Sequence, residues 1–426
     1  MNYKNRRDQL VDLVKTQYPS ERGSIVLFAP CEDSHRSFIQ DSNFYYFSGV
    51  EEPASVMVLT EKEQNFYRPA YNDMRAKWVH SEIDVTQDYV QAHGFNELRP
   101  LGQLFSGIHV YPYFDYAIYE NVVALLSDMV LKGEKIFTIY PSNSYQSIEV
   151  RLIIDRLALV IPNLHKHIID ISAQAALLRR KKDMSELELL YKAVEITGYA
   201  HQAAMHAMKG GRSEAEVQAS LEFVFTEQGA VPAYPSIVAG GVRGTILHYG
   251  TNNQPLVDGQ LVVVDAGARY NYYCADITRT YPVSGKFTLE QKELYELVLE
   301  CQELVAEQAK PGVWLSNKDE QEASLHHIAV NFFKKHGYEK YFIHGIGHFL
   351  GLDVHDVGDG IIPLQEGDII TIEPGLYIPE KQLGIRIEDN YWIVDQTTPV
   401  CLSEAIPKSI QAVEEMVQQS FDVDLQ

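Results

Sequence analysis

Residues 261–282 read Leu-Val-Val-Val-Asp-Ala-Gly-Ala-Arg-Tyr-Asn-Tyr-Tyr-Cys-Ala-Asp-Ile-Thr-Arg-Thr-Tyr-Pro, and no other stretch constrains the fold as tightly. An apolar, β-branched run followed by one rich in Tyr, Thr and Ile describes two strands joined by a hairpin, with the turn near Tyr270 and Asn271. With an even loop and no bulge, Asp265 and Asp276 are equidistant from that turn and stand opposite each other on one face, their Cβ atoms about 5 Å apart. Two carboxylates that close, on strands too apolar to face solvent, repel each other and resist desolvation unless something positive lies between them. A bound cation supplies that charge. The alternative is that one Asp sits on an exposed turn or pairs with Arg269 or Arg279.

Three later segments bear on the choice. Residues 344–356, His-Gly-Ile-Gly-His-Phe-Leu-Gly-Leu-Asp-Val-His-Asp, pack three histidines among glycines that let the backbone approach a ligand. Residues 368–375, Asp-Ile-Ile-Thr-Ile-Glu-Pro-Gly, describe a buried strand whose Pro-Gly turn aims Glu373 out of the sheet's end. In residues 384–390, Gly-Ile-Arg-Ile-Glu-Asp-Asn, strand alternation puts Arg386 and Glu388 on one face. Asp265, Asp276, Glu373 and Glu388, joined by His348, supply the oxygen-rich donor set of a pair of divalent ions about 3.5–4 Å apart. The four cysteines, Cys31, Cys274, Cys301 and Cys401, are scattered and show no paired spacing. A structural zinc is therefore disfavoured, and manganese, iron, cobalt or catalytic zinc is favoured.

A chain of 426 residues suggests two domains. Its formal charge of −22 argues against nucleic acid and anionic membranes as partners. No apolar run approaches the roughly 20 residues that span a bilayer, and the polar start lacks a secretory signal's apolar core. With free thiols, these features place the protein in the cytoplasm. The basic run Arg179-Arg180-Lys181-Lys182 reads as a solvated helix end.

The first 172 residues alternate between helical patterns (2–18, 85–92, 116–130, 146–157) and strand-like runs (24–29, 44–47, 55–59, 108–113, 135–140), which describes an α/β domain with a mixed sheet. The aromatic stretch from Phe44 to Phe47 is expected to pack in its core. From residue 173 to 426 the pattern becomes α+β. Helices are expected over 184–208, 213–228 and 289–309, with capping boxes at Ser185–Glu188 and Ser213–Glu216. Strands are expected at 236–239, 261–265, 272–281, 369–372 and 385–394.

The order Asp265-x(10)-Asp276, then His348, Glu373 and Glu388, resembles that of the pita-bread metallopeptidases. The contexts His344-Gly-x-Gly-His348, Gly351-Leu-Asp-Val-His355-Asp, Glu373-Pro-Gly and Gly384-Ile-Arg-Ile-Glu388-Asp are similar to the proline-specific branch, aminopeptidase P. Residues 40–49, Gln-Asp-Ser-Asn-Phe-Tyr-Tyr-Phe-Ser-Gly, resemble that family's creatinase-like amino-terminal domain, although Ile39 stands where the family commonly has Arg, and no Gly follows Trp78 by two. The resemblance implies cleavage of the bond between an amino-terminal residue and a following proline, with two divalent ions, manganese foremost and cobalt, iron or zinc as alternatives. It implies that Asp276 and Glu388 bridge the ions, that Asp265 completes one, and that His348 and Glu373 complete the other. Glu373 would relay the proton of the attacking water, and His355 would donate to the substrate carbonyl. His248 and His344 match family histidines of the substrate cleft. Arg386 resembles an arginine beside the proline-side pocket, or forms an ion pair with the acids. The family also implies a homo-oligomer, dimer or tetramer. Competing readings are a dipeptidase restricted to Xaa-Pro and a non-catalytic pita-bread binding module, which would lack the five ligands.

Overall fold

One mixed six-stranded sheet organises the amino-terminal part of the chain. The computed structural model describes residues 1–32, 37–79, 85–110, 115–141, 148–358, 362–395 and 397–423, and the chain divides into two units, Met1–Arg179 and Arg180–Gln426. The first contains α1 (Tyr3–Gln17), β1 (Gly23–Phe28), α2 (Ser42–Ser48), β2 (Val56–Leu59), β3 (Gln64–Tyr71), α3 (Gln87–Ala92), β4 (Glu97–Phe105), α4 (Glu120–Leu131), β5 (Lys135–Thr138), α5 (Ile148–Ala158), α6 (Leu164–His167), β6 (Ile168–Asp170) and α7 (Ser172–Arg180). The sheet runs β4-β3-β2-β1-β5-β6. Its β1–β2 and β2–β3 pairs are antiparallel, and β3–β4, β1–β5 and β5–β6 are parallel. Parallel neighbours need a crossover, which α3 supplies between β3 and β4 and α5 with α6 between β5 and β6.

Three local readings change in this unit. Residues 44–47 are helical, because Asp41 caps the backbone N–H groups of Asn43 and Phe44 and Gly49, at φ 66°, ends the turn in the left-handed region. The aromatics still fill the core, with Phe44, Tyr46 and Phe47 buried. Strands β3 and β4 carried no apolar alternation to announce them: β4 is an exposed edge containing Pro100, and the β3–β4 register slips around Pro69. Of the expected strand at 108–113, residues 108–110 are irregular and 111–113 lie outside the described residues, as do residues 146–147 and His80.

The second unit contains α8 (Met184–Ala207), α9 (Glu214–Glu227), β7 (Val231–Pro232), β8 (Ile237–Gly240), β9 (Leu261–Ala266), β10 (Ala268–Tyr270), β11 (Tyr273–Cys274), β12 (Ile277–Pro282), α10 (Leu289–Gln308), α11 (Leu325–Lys335), β13 (Ile369–Ile372), β14 (Gly375–Ile378), β15 (Leu383–Arg386), β16 (Asp389–Trp392), β17 (Val400–Cys401) and α12 (Ile410–Val423). Small antiparallel sheets, β12-β9-β8, β13-β16-β17, β14-β15 and β11-β10-β7, share one apolar core with the helices. The Ser213–Glu216 capping box forms as expected. At the other helix the box is Asp183–Glu186, not Ser185–Glu188: Asp183 accepts from the Glu186 N–H and Glu186 accepts from the Asp183 N–H, so the helix starts earlier than the serine suggested. The expected strand at 385–394 is two strands. Its ladder breaks at Ile387 and Glu388, where the Glu388 N–H turns to the Thr278 carbonyl of β12 at 3.0 Å.

Candidate functional site

The central hairpin turns at Asn271 and Tyr272, both with positive φ (45° and 74°), one residue later than expected. The register pairs Asp265 with Thr278 and Arg269 with Cys274. Asp276 therefore lies diagonal to Asp265, not directly opposite, while the even offset keeps both on one face. Neither pairs with Arg269 or Arg279. Gly267 is needed between them, because a Cβ there would lie 1.8 Å from the Ala275 oxygen.

Each remaining side chain arrives on a strand end or a segment packed against one. The segment at 344–348 runs so close to β13 that a Cβ on Gly347 would lie 2.0 Å from the Thr371 oxygen. The Thr371 N–H donates to the His348 carbonyl at 2.8 Å and the His348 N–H to Thr371 Oγ1 at 3.1 Å. Glu373 follows β13 directly, its N–H on the Ile346 carbonyl at 2.9 Å. Glu388 sits in the β15–β16 break, where Thr278 Oγ1 donates to its Oε2 at 2.7 Å. Asn390 joins both main-chain groups of Asp276 through its side-chain amide.

These residues line one cavity of about 840 Å³, which Asp265, Asp276, His348, Glu373 and Glu388 share with His248, His344, His355, Arg386 and Tyr234. One donor atom each from Asp276, His348 and Glu388 lies within 4.8 Å of the others. His348 Nε2 is 3.3 Å from Asp276 Oδ2 and 3.6 Å from Glu373 Oε1. Its Nδ1–H donates to the Phe349 carbonyl at 3.0 Å, which leaves Nε2 to face the acids.

The electrostatics have one pattern. Burial pushes Glu388 well above the usual carboxylate range, with Asp276, Glu373 and Asp265 adding to it and Arg386 opposing. Burial likewise raises Asp276, and it raises Glu373 to about 7 against the pull of His348 and Arg386. Burial opposes a charge on His348, but the Asp276 hydrogen bond and the charges of Asp276 and Glu373 outweigh it and hold the imidazole at about 9. The acids thus gather protons in the place where a cation would otherwise supply the positive charge. A carboxylate-rich set with one imidazole fits hard or borderline divalent ions.

Each guanidinium nitrogen of Arg386 has a partner within the protein. Its Nη2 meets Asp265 Oδ2 at 2.6 Å, Nη1 donates to the Tyr377 hydroxyl at 2.9 Å, and Nε donates to Thr278 Oγ1 at 3.1 Å. Of its two expected positions, the ion pair with the acids is realised, and the residue also lines the cavity. His344 Nε2 lies 2.8 Å from the Tyr377 hydroxyl and Nδ1 2.7 Å from the Gly345 carbonyl. Burial, then the Arg386 charge, lowers it to about 4, so the ring is neutral. His355 stacks on His348 with ring centroids 4.0 Å apart and planes at 11°. Its neighbour Asp356 is anchored by Lys182 at 2.9 Å, both side chains buried. His248 lies exposed on the cavity wall.

Sequence reasoning missed Tyr234, whose hydroxyl donates between Asp265, at 2.6 Å, and Asp276. Nothing in its Pro-Ala-Tyr-Pro context signals that. Thr278 and Asn390 were readable, since each stands two residues beyond a carboxylate, on the same strand face.

The model of metallopeptidase family M24 matches residues 188–395, and that of the aminopeptidase P amino-terminal domain matches residues 3–109. The chain is 31% identical to the Xaa-Pro aminopeptidase of Haemophilus influenzae, over 92% of this chain and 93% of that protein. It is 41% identical to the Xaa-Pro dipeptidase of Pyrococcus furiosus, but over only 51% of this chain and 62% of that protein. The solved structure of aminopeptidase P from Escherichia coli with the inhibitor Pro-Leu superposes with a TM-score of 0.78 at 26% identity, covering 99% of this chain and 98% of that one. The carboxylate and imidazole cluster thus stands in a chain that belongs to metallopeptidase family M24, among its Xaa-Pro aminopeptidases.

Proposed function

We propose that this metallo-aminopeptidase releases the amino-terminal residue ahead of a proline with two divalent ions, manganese foremost and cobalt, iron or zinc as alternatives. The observation that carries this reading is the convergence of Asp265, Asp276, His348, Glu373 and Glu388 in one cavity, where buried acids outnumber their protein countercharges. Asp276 and Glu388 would serve both ions, Asp265 would hold one of them, and His348 with Glu373 would hold the other. When bound, such a pair lowers the pKa of a water molecule and polarises the scissile carbonyl.

The chain's own residues do the rest. Glu373 takes the proton of the attacking water and passes it to the proline nitrogen as the C–N bond breaks. His355 donates to the oxygen on which charge develops. His248 and the neutral His344 border the substrate, and Leu247, Ile237 and Val354 give the cavity apolar wall. Arg386 holds Asp265 in place and balances its charge.

Likeness to Xaa-Pro aminopeptidase runs through both units, whereas likeness to the dipeptidase is confined to about half of the chain. The direct test offers an Xaa-Pro-Xaa tripeptide and an Xaa-Pro dipeptide to purified protein before chelation, after it, and after return of each metal. Tripeptide cleavage lost on chelation and restored first by manganese supports the reading. Cleavage of the dipeptide alone, or indifference to chelator, overturns it. The same reading places the protein in the cytoplasm, on its four unpaired cysteines, as a dimer or tetramer that sedimentation would resolve. Among the described residues no helix is long and apolar enough to cross a membrane.

A further inference from the structure

Behind the carboxylates, α10 presents one side chain to both of the strand ends that carry glutamates. Gln302 is fully buried, and its Nε2 donates to the Ile372 carbonyl at 3.1 Å and to the Ile387 carbonyl at 3.1 Å. Each acceptor belongs to the residue directly before a site glutamate, Glu373 in one case and Glu388 in the other. A side-chain amide has two N–H donors on one nitrogen, so both carbonyls are satisfied at once.

The amide's orientation is fixed from outside. Lys408 Nζ, a group that can only donate, lies 2.9 Å from Gln302 Oε1 and 2.8 Å from Asp389 Oδ2. The oxygen must therefore face Lys408, which turns the NH2 group toward the two carbonyls. The ladder between β13 and β16 stops at Ile372 and Asp389. Regular pairing lapses there for two residues on each side, Glu373 and Pro374 facing Ile387 and Glu388, and resumes in the same register at Gly375 and Arg386; the backbone contact across this gap, Ile387 N–H to the Pro374 carbonyl, is 3.4 Å long. Gln302 spans that gap, against the mutual repulsion of the two acids it serves.

We propose that Gln302 is a positioning residue that sets the separation of Glu373 and Glu388, and through it the affinity of the ion these carboxylates share, with Lys408 holding its amide in register. This rests on the two-ion reading. Groups that orient metal ligands from behind change metal affinity by about 10- to 100-fold when removed.

The test titrates chelator-stripped protein with Mn²⁺ alone by calorimetry and records the electron paramagnetic resonance of the loaded protein. Wild type should bind two Mn²⁺ per chain. Gln302→Met should weaken one of them by about 10- to 100-fold, spare the other comparatively, and alter the signal of the coupled pair. Lys408→Met should shift the same constant in the same direction by less. A Gln302→Met protein that melts earlier yet binds both ions as wild type does, with an unchanged coupled signal, shows a role in core stability alone and overturns the proposal. If Gln302→Met does not fold, Lys408→Met decides on the same criterion. Wild type that binds fewer than two ions sinks the two-ion reading, and the proposal with it, whereas two ions with indifferent variants sink the proposal alone.

Discussion

Arg386 is the one permanently charged cation among the residues lining the cavity, and Arg386→Met separates its two conceivable roles. The substitution keeps most of the apolar volume and leaves Asp265 buried beside Asp276, Glu373 and Glu388 with no guanidinium. Removing one side of a buried ion pair costs about 3–5 kcal/mol, because the remaining charge is uncompensated. That cost falls on the metal-free protein. When divalent ions supply the countercharge to Asp265, what remains is the loss of the charged hydrogen bonds to Tyr377 and Thr278, about 1.5–3 kcal/mol each. The hydrogen-bond losses are common to both metal states, so at ~2–4 °C per kcal/mol for a unit of this size the stripped variant should melt about 6–20 °C further below its wild type than the Mn²⁺-loaded variant does. Scanning calorimetry of the four samples measures this directly. Equal depressions in the two metal states would refute the charge-balancing argument. Little change in either, together with a raised KM, would make Arg386 a substrate contact instead.

Asp276→Asn or Glu388→Gln should abolish activity and lower metal content, measured by plasma mass spectrometry, by more than one ion per chain, since each carboxylate is read as serving both ions; full occupancy in either would end the bridging assignment. His355→Ala should keep near-normal metal while kcat falls by about 10²- to 10³-fold and KM changes less, as for loss of a donor to developing charge. Metal loss like that of His348→Ala would instead make His355 a ligand. His201, buried between the Tyr281 hydroxyl and the Ile277 carbonyl, is lowered to about 4 by burial first and the Arg279 charge second. Its folded value lies below its unfolded one near 6.5, so the unfolded chain binds more protons between pH 6.5 and 4, and up to about 3 kcal/mol of stability is lost as pH falls through that window. His201→Gln should flatten the urea-midpoint profile by that amount, and parallel profiles for variant and wild type would contradict it.

What was legible in the sequence follows from which physical signals are local. Asp265 and Asp276 stood out because charge on an apolar strand is costly wherever the strand folds, and strand parity placed them on one face even though the turn fell one residue later. The same logic flagged Glu373, through the Pro-Gly turn behind it. It failed for Phe44–Phe47, where an aspartate cap and a left-handed glycine outweighed aromatic strand preference. It failed also for β4, an edge strand too exposed to show alternation. At Glu388 the alternation rule held although regular pairing lapses at residues 387 and 388: β15 and β16 keep one register across the lapse, Gly375 facing Arg386 and Ile372 facing Asp389, and Arg386 and Glu388 both reach Thr278 Oγ1.

The parts that escaped are those whose meaning exists only after folding. Tyr234, Gln302 and Lys182 are ordinary residues in ordinary contexts, and each acts on groups tens to more than a hundred positions away: Asp265 and Asp276, the carbonyls before Glu373 and Glu388, and Asp356 beside His355. A buried acid advertises itself because its own desolvation must be answered. A neutral amide or hydroxyl that answers someone else's does not. Four acids and an imidazole on strand ends and a glycine-rich segment can still be displaced by the acids' own repulsion, and holding such a set to within about 0.5 Å requires support from behind. Here that support is drawn from α10, from the strand partners Thr278 and Asn390, and from the Arg279–Asp389 ion pair at 2.6 Å with neither side chain exposed, which fixes the residue next to Glu388. The precision of the site is therefore a property of the second unit's whole core, not of the motif residues that reveal it.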